Sequence, residues 1–339
     1  MKRKPVIALI LFAIVLLVPF FRHLSAKPQE VWQYDEGVIF GTVYHVKYLY
    51  TEDLKADIEA ELQRVDASLS MFNPKSTISR INSGESDLTD EMLTEVLTLA
   101  KRVSAATDGA FDPTVAPLVN AWGFGFKNGQ LPDAGQVDSL RALVGLDAVS
   151  LEDGHLVCEK DGIVLDFSAI AKGYGVDRAA AVLQAKGITR YMVEIGGEVV
   201  AHGTNDKAQP WRIGINKPDD DSLSTNTELQ DIIALSDNAI ATSGNYRNFY
   251  TSPDGRRIAH TIDPRTGYPA QKDILSSTVM ASTCAEADAY ATAFMVLGLE
   301  QAQEFLSTHP ELQAYFICSD DKGRYVTWST EGFKAYIQE

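Results

Sequence analysis

Apolar residues recur along the chain with two periods. From Gly37 to Tyr50 apolar and polar positions alternate, and the stretch reads as one half-buried strand through Val43, His45 and Lys47. Leu54, Ile58, Leu62, Val65 and Leu69 then fall at helical spacing. A second amphipathic helix carries Leu93, Val96, Leu97, Ala100 and Val103, with Thr89 as its expected N-cap and Gly109 beyond its end. The spacing predicts short strands at Gly162–Leu165, Tyr191–Ile195, Trp211–Asn216, Asp231–Leu235 and Ala239–Ser243, with a polar loop over 217–229. A helix bearing Val176, Ala180 and Leu183 follows the first of these. The last third predicts a helix from Ala285 to Leu297, then a helix and two strands. Helices and strands without regular βαβ alternation predict an α+β fold, one large mixed domain over 27–339.

The N-terminus stands apart. Lys2, Arg3 and Lys4 precede an uncharged run from Pro5 to Phe21. Basic residues before an apolar stretch read as an export signal held positive-inside, so residues 1–26 are expected to be a signal peptide or an N-terminal membrane anchor. Leu24-Ser25-Ala26 is a mediocre cleavage site, and cleavage and retention both remain open. No cysteine near the run offers a lipid anchor.

Hydrophobic residues make up 45% of the 339 positions, enough for a sizeable core, and the formal net charge is −16. That charge argues against a nucleic-acid partner, which needs a basic face. An anionic cofactor would instead need a metal ion and backbone N–H groups. Cys158, Cys284 and Cys318 match no zinc spacing; one disulfide, or three small buried hydrophobes, are both readings of them.

Five segments carry candidate chemistry. Asp108 to Thr114, followed by Asn120 to Gly125, mixes glycines and aromatics, as suits a loop beside a planar ligand or a tight helix connection. Asp166 to Asp177 runs from a small-residue turn into a helix whose first N–H groups, with Lys172, could attract phosphate; it lacks the P-loop pattern. Glu194-Ile195-Gly196-Gly197-Glu198 is a strand ending in paired glycines. Ala241 to Asn248 leads to His260-Thr261-Ile262-Asp263-Pro264-Arg265-Thr266-Gly267, a turn preceded by a histidine able to take a proton near neutral pH. Finally, Asp288 and Thr292 lie four apart on a helix, a carboxylate and a hydroxyl on one face. They read as a hard-oxygen pair for Mg²⁺, or as an exposed acid beside a back-bonded threonine.

In this order the segments resemble the ApbE family of FAD:protein FMN transferases, from about Gly41 to the C-terminal region. The matching motifs are Gly-Ala-Phe-Asp-Pro-Thr-Val (109–115), Asp-Phe-Ser-Ala-Ile-Ala-Lys-Gly-Tyr (166–174), Ile-Gly-Gly (195–197), Thr-Ser-Gly-Asn-Tyr-Arg (242–247), His-Thr-Ile-Asp-Pro-Arg-Thr-Gly (260–267) and Glu-Ala-Asp-Ala-x-Ala-Thr (286–292). The resemblance implies Mg²⁺ held by the carbonyl of Ala169 and the side chains of Asp288 and Thr292. It implies FAD contacts at Ala110, Phe111, Asp112, Asp166, Lys172 and Ile262. It also implies contacts at Phe40 and Phe72, which stand where the family often has methionine and tyrosine. The expected reaction is transfer of FMN from FAD, the substrate, to a threonine or serine hydroxyl of an acceptor flavoprotein subunit of an envelope redox complex. His260 is the expected proton acceptor, on the periplasmic side of a bacterial inner membrane. A Mg²⁺-dependent FAD pyrophosphatase and a non-catalytic flavin carrier are the competing readings.

Overall fold

The Gly37–Tyr50 alternation belongs to a hairpin rather than to a single strand. In the computed structural model, which describes residues 29–124, 131–218, 228–245, 249–251, 257–320, 322 and 324–338, strand β1 (Val31–Ile39) turns at Phe40-Gly41 into β2 (Thr42–Tyr50). Phe40 and Gly41 both take positive φ, 51° and 74°, which reverses the chain where alternation alone suggests continuation. The signal or anchor expected over 1–26, most of the polar loop and residues 246–248 lie outside the described residues. Among the described residues no helix is long and apolar enough to cross a membrane.

Helices α1 (Lys55–Leu69), α2 (Thr77–Asn82) and α3 (Glu91–Ala106) follow. Asp90, not Thr89, caps α3: its carboxylate accepts from the Leu93 N–H at 2.9 Å, while the Thr89 hydroxyl donates to Gly154. After a 3₁₀ turn at Pro113–Val115 come α4 (Ala116–Ala121), α5 (Ala134–Arg141), β3 (Val149–Glu152), β4 (His155–Cys158) and α6 (Ala171–Ala185). The strand expected at Gly162–Leu165 does not form. The Asn82 side chain takes both backbone groups of Leu165, at 2.9 and 2.8 Å, the hydrogen bonds a neighbouring strand would otherwise have made.

The remaining elements are β5 (Tyr191–Ile195), β6 (Glu198–His202), β7 (Trp211–Asn216), β8 (Leu229–Leu235), β9 (Asn238–Gly244), β10 (Phe249–Thr251), β11 (Arg257–Ala259), β12 (Ile274–Ala281), α7 (Cys284–Leu297), α8 (Leu299–Thr308), β13 (Gln313–Ser319), β14 (Tyr325–Ser329) and α9 (Glu331–Lys334). Among the described residues eight strands form one sheet in the order β1-β2-β5-β6-β9-β12-β13-β14, each pair antiparallel. The α+β expectation of a single mixed domain is met.

Side-chain alternation in the sheet places two layers on it. On one face Tyr44, Val46, Val193 and Ile195 pack with Leu62 of α1 and Val176 and Leu183 of α6, while Ala241, Val279 and Phe316 pack beneath α7. On the other, Val199, Ile240, Met280 and Ile317 meet Trp211, Ile215, Ile233 and Leu235 of the β7–β8 ribbon. Both faces of the sheet centre are therefore buried, and α7 is apolar nearly all round. The three cysteines are unpaired: Cys158 is exposed, Cys284 and Cys318 buried.

Candidate active site

Helices α6 and α7 cross closely enough that only glycine fits at position 173. A Cβ there would lie 2.3 Å from the Cys284 carbonyl oxygen. The close approach brings the Gly173 N–H within 3.1 Å of Asp288 Oδ2, so a buried carboxylate on α7 is bonded to the first turn of α6. Gly173 is the third residue of α6, so its N–H has no partner within the helix, whose first bond runs from the Tyr174 N–H to the carbonyl of Ile170, one residue past the Ala169 carbonyl. Among the described residues no hydrogen-bond donor reaches that carbonyl. One turn along α7, the Thr292 hydroxyl is bonded at 2.9 Å to Ser243 Oγ on β9, across to the sheet rather than back along its own helix.

Asp288, Thr292 and Ala169 line one cavity of about 460 Å³, within the usual range for ligand sites. Ala110, Phe111, Asp112, Asp166, Lys172, His260 and Ile262 line it too, as do Gly196 and Gly197. Ten of the twelve expected site residues thus meet at one place. Phe40 and Phe72 are not among the lining residues. The Phe40 ring packs over Gly175, where a Cβ would meet it at 2.5 Å, and Phe72 is 79% exposed on a turn after α1.

The local reasons for these positions differ. Asp112 caps the 3₁₀ turn, accepting from the Thr114 N–H (2.8 Å) and hydroxyl (2.6 Å) and from the Leu146 N–H (3.0 Å). Burial raises its pKa, and those donors pull the other way. Its carboxylate is therefore occupied in fixing the loop that presents Ala110 and Phe111. Asp166 holds the turn before α6 through the Ser168 N–H and hydroxyl, at 2.8 and 2.5 Å. His260 follows β11, its ring edge-on to Phe124 at 6.3 Å. Asp263, its neighbour in sequence, is bonded to the Arg265 guanidinium at 2.9 and 3.0 Å.

Lys172 projects into the cavity and pairs with Glu198 at 2.5 Å. Burial opposes its charge, but Asp288 and Glu198 outweigh that and hold the ammonium above its ordinary value. Burial in turn raises both carboxyls, Glu198 and Asp288, against the pull of Lys172. Glu198 is 1% exposed, and its buried Oε2 has no hydrogen-bond partner among the described residues. The sequence displays Glu198 after the paired glycines and Ser243 within Thr-Ser-Gly, yet nothing local discloses their partners, 26 and 49 positions away.

The donors around Asp288 are all oxygen: a carboxylate, a hydroxyl and a carbonyl that no N–H occupies. That set suits a small hard cation such as Mg²⁺. Among the described residues no three His, Cys, Asp or Glu side chains cluster to hold a metal.

The family model described as ApbE family matches residues 40–316. The chain belongs to the ApbE family. It is 36% identical over 316 residues to the FAD:protein FMN transferase of Salmonella typhimurium, covering 89% of this chain and 88% of that one. It is 38% identical to the protein of the same name from Haemophilus influenzae, covering 88% and 89%. Among solved structures, the flavin transferase ApbE from Vibrio cholerae superposes with a TM-score of 0.81 at 34% identity, over 91% of this chain and 99% of that one. The apo flavinyl transferase ApbE of Pseudomonas stutzeri gives the same TM-score and identity, over 91% and 97%.

Proposed function

We propose that this ApbE-family chain transfers FMN from FAD to a threonine or serine hydroxyl of an acceptor flavoprotein, releasing AMP, and that Mg²⁺ is required. The observation that carries this reading is the shared cavity: Asp288, Thr292 and Ala169 line the same space as Lys172 and His260. The names of the relatives support the transfer itself.

Ala169, Asp288 and Thr292 would hold Mg²⁺, whose chemistry there is to neutralise charge on the FAD diphosphate as AMP departs. Lys172, kept charged by Glu198 and Asp288, adds a second cation for the phosphate oxygens. The Gly196-Gly197 turn, both residues at positive φ, lets backbone pass close to the ligand. His260 takes the proton of the attacking hydroxyl. The acceptor oxygen bonds to the phosphorus on the flavin side, the bond from that phosphorus to the bridging oxygen breaks, and AMP leaves with that oxygen. Positioning and electrostatics supply most of the rate.

Export follows from the basic residues and apolar run at the N-terminus, so we place the enzyme on the periplasmic side of a bacterial inner membrane. Its acceptors are then flavoprotein subunits of envelope redox complexes. Incubation of the purified chain with FAD, Mg²⁺ and a candidate acceptor tests the reading. Flavin fluorescence that stays on the acceptor through denaturing electrophoresis supports transfer. Release of free FMN and AMP with unlabelled acceptor identifies a pyrophosphatase, and tight FAD binding without AMP release identifies a carrier.

A further inference from the structure

A threonine inside a helix ordinarily donates its hydroxyl to a carbonyl one turn back. Thr292 does not. Its Oγ1 lies 2.9 Å from Ser243 Oγ, and Ser243 sits on β9 between β6 and β12, the centre of the sheet.

We propose that Ser243 is a positioning residue that aims the oxygen of Thr292 at the cation; the inference rests on the Mg²⁺ reading above. A hydroxyl has one hydrogen and two lone pairs. To serve a cation, Thr292 must turn its lone pairs to the cavity and send its hydrogen elsewhere. Ser243 Oγ, 2.9 Å away, can accept that hydrogen, and Ser243 is held in register by its pairing with Ser277 of β12. Thr292 is the one side-chain hydrogen-bond partner of Ser243 among the described residues. Among the described residues Ser277, directly opposite on β12, makes no hydrogen bond to Ser243. With the Ser243 oxygen removed, Thr292 is left to bond back along α7, which turns its lone pairs off the site. Groups that orient metal ligands in this way typically change metal affinity 10- to 100-fold when removed.

The test is calorimetric titration of the purified chain with Mg²⁺, alone and with FAD present. The variants are Ser243→Ala, Ser243→Thr, Thr292→Ala and the double Ser243→Ala/Thr292→Ala. Thermal melting in a chelator accompanies each titration, so that loss of fold is read separately. If Ser243→Ala melts too early to titrate, Ser243→Cys replaces it, keeping volume while accepting hydrogen bonds poorly. The expected results are weakening of Mg²⁺ binding by roughly tenfold or more in Ser243→Ala and recovery in Ser243→Thr. In the Thr292→Ala background Ser243→Ala should cost nothing further, since its effect runs through that side chain. Wild-type affinity in Ser243→Ala overturns the inference, as does an additive loss in the double variant. Failure of the unaltered chain to bind Mg²⁺ both alone and with FAD present overturns the cation reading itself, and this inference with it.

Discussion

The N–H of Gly173 is bonded to the carboxylate of Asp288 at 3.1 Å, and that contact joins the two helices on which the site is built. It depends on the missing side chain at 173, because a Cβ would press on the carbonyl of Cys284 and the Cα of Ala285. Backbone at both contacts cannot swing aside as a side chain can.

Gly173→Ala is therefore expected to force α6 and α7 apart. Overpacking of this kind costs about 1–3 kcal/mol and more where backbone must move. Chemical denaturation should show a loss of at least about 2 kcal/mol, with FMN-transfer activity falling further than stability alone explains.

Glu198 and Lys172 form a pair whose acidic member is almost wholly buried. Removing Glu198 takes from Lys172 its hydrogen-bonded partner and leaves Asp288 as the carboxylate beside it. Glu198→Ala should destabilise by roughly 2–4 kcal/mol, below the fully buried limit because Lys172 retains some exposure to solvent. Replacing both, as Lys172→Met with Glu198→Leu, should recover only part of that stability, because Asp288 then loses the cation beside it, while FMN transfer stays lost. Urea unfolding together with the transfer assay separates the two effects.

Asp177 reaches from α6 to cap α7, accepting from the N–H groups of Cys284 and Ala285 at 2.8 and 2.9 Å. Burial pushes its carboxyl up to about 6, with Asp288 and Glu286 adding to the rise and the two N–H donors opposing it. A carboxyl raised on folding binds its proton more tightly in the native state. Its contribution is thus fullest below the ordinary carboxylate range and is lost as pH climbs through about 6. Measured as wild type minus Asp177→Asn, unfolding free energy should fall by about 2–3 kcal/mol between pH 4 and pH 7 and then level off. A difference that is flat, or that grows with pH, contradicts this assignment.

The sequence discloses the parts of the site that local spacing governs. Asp288 and Thr292 share a face because they are four apart on a helix, and the long stripe of α1 predicts its bounds to within a residue. Phe40 conceals the β1–β2 turn because an aromatic residue seldom takes positive φ, while the residues around it keep the alternating period. The apolar run before Asp166 looks like a strand, and only the distant Asn82 shows why it pairs with no other strand. Ala169 has no side chain that could mark its proposed role as a carbonyl ligand, and only the family resemblance points to it. Glu198 and Ser243 act through partners far along the chain, which periodicity does not report.

His260 is expected to matter for the chemical step and little for stability, since it lies on the loop after β11 at the cavity edge. His260→Ala should lower the transfer rate about 10²- to 10⁴-fold, the usual contribution of a positioned base. Its FAD and Mg²⁺ affinities should change far less, a contrast that rapid-quench and equilibrium binding measurements resolve.

The most direct measurement is intact mass spectrometry of an acceptor flavoprotein after incubation with FAD, comparing the unaltered enzyme with Asp288→Asn. With Mg²⁺ present, the unaltered enzyme should add the mass of one FMN less one water, with AMP released in equal amount. Asp288→Asn, or a chelator, should leave the acceptor unchanged while the enzyme remains folded. Full acceptor labelling by a folded Asp288→Asn enzyme, or labelling that proceeds without any divalent cation, contradicts the account.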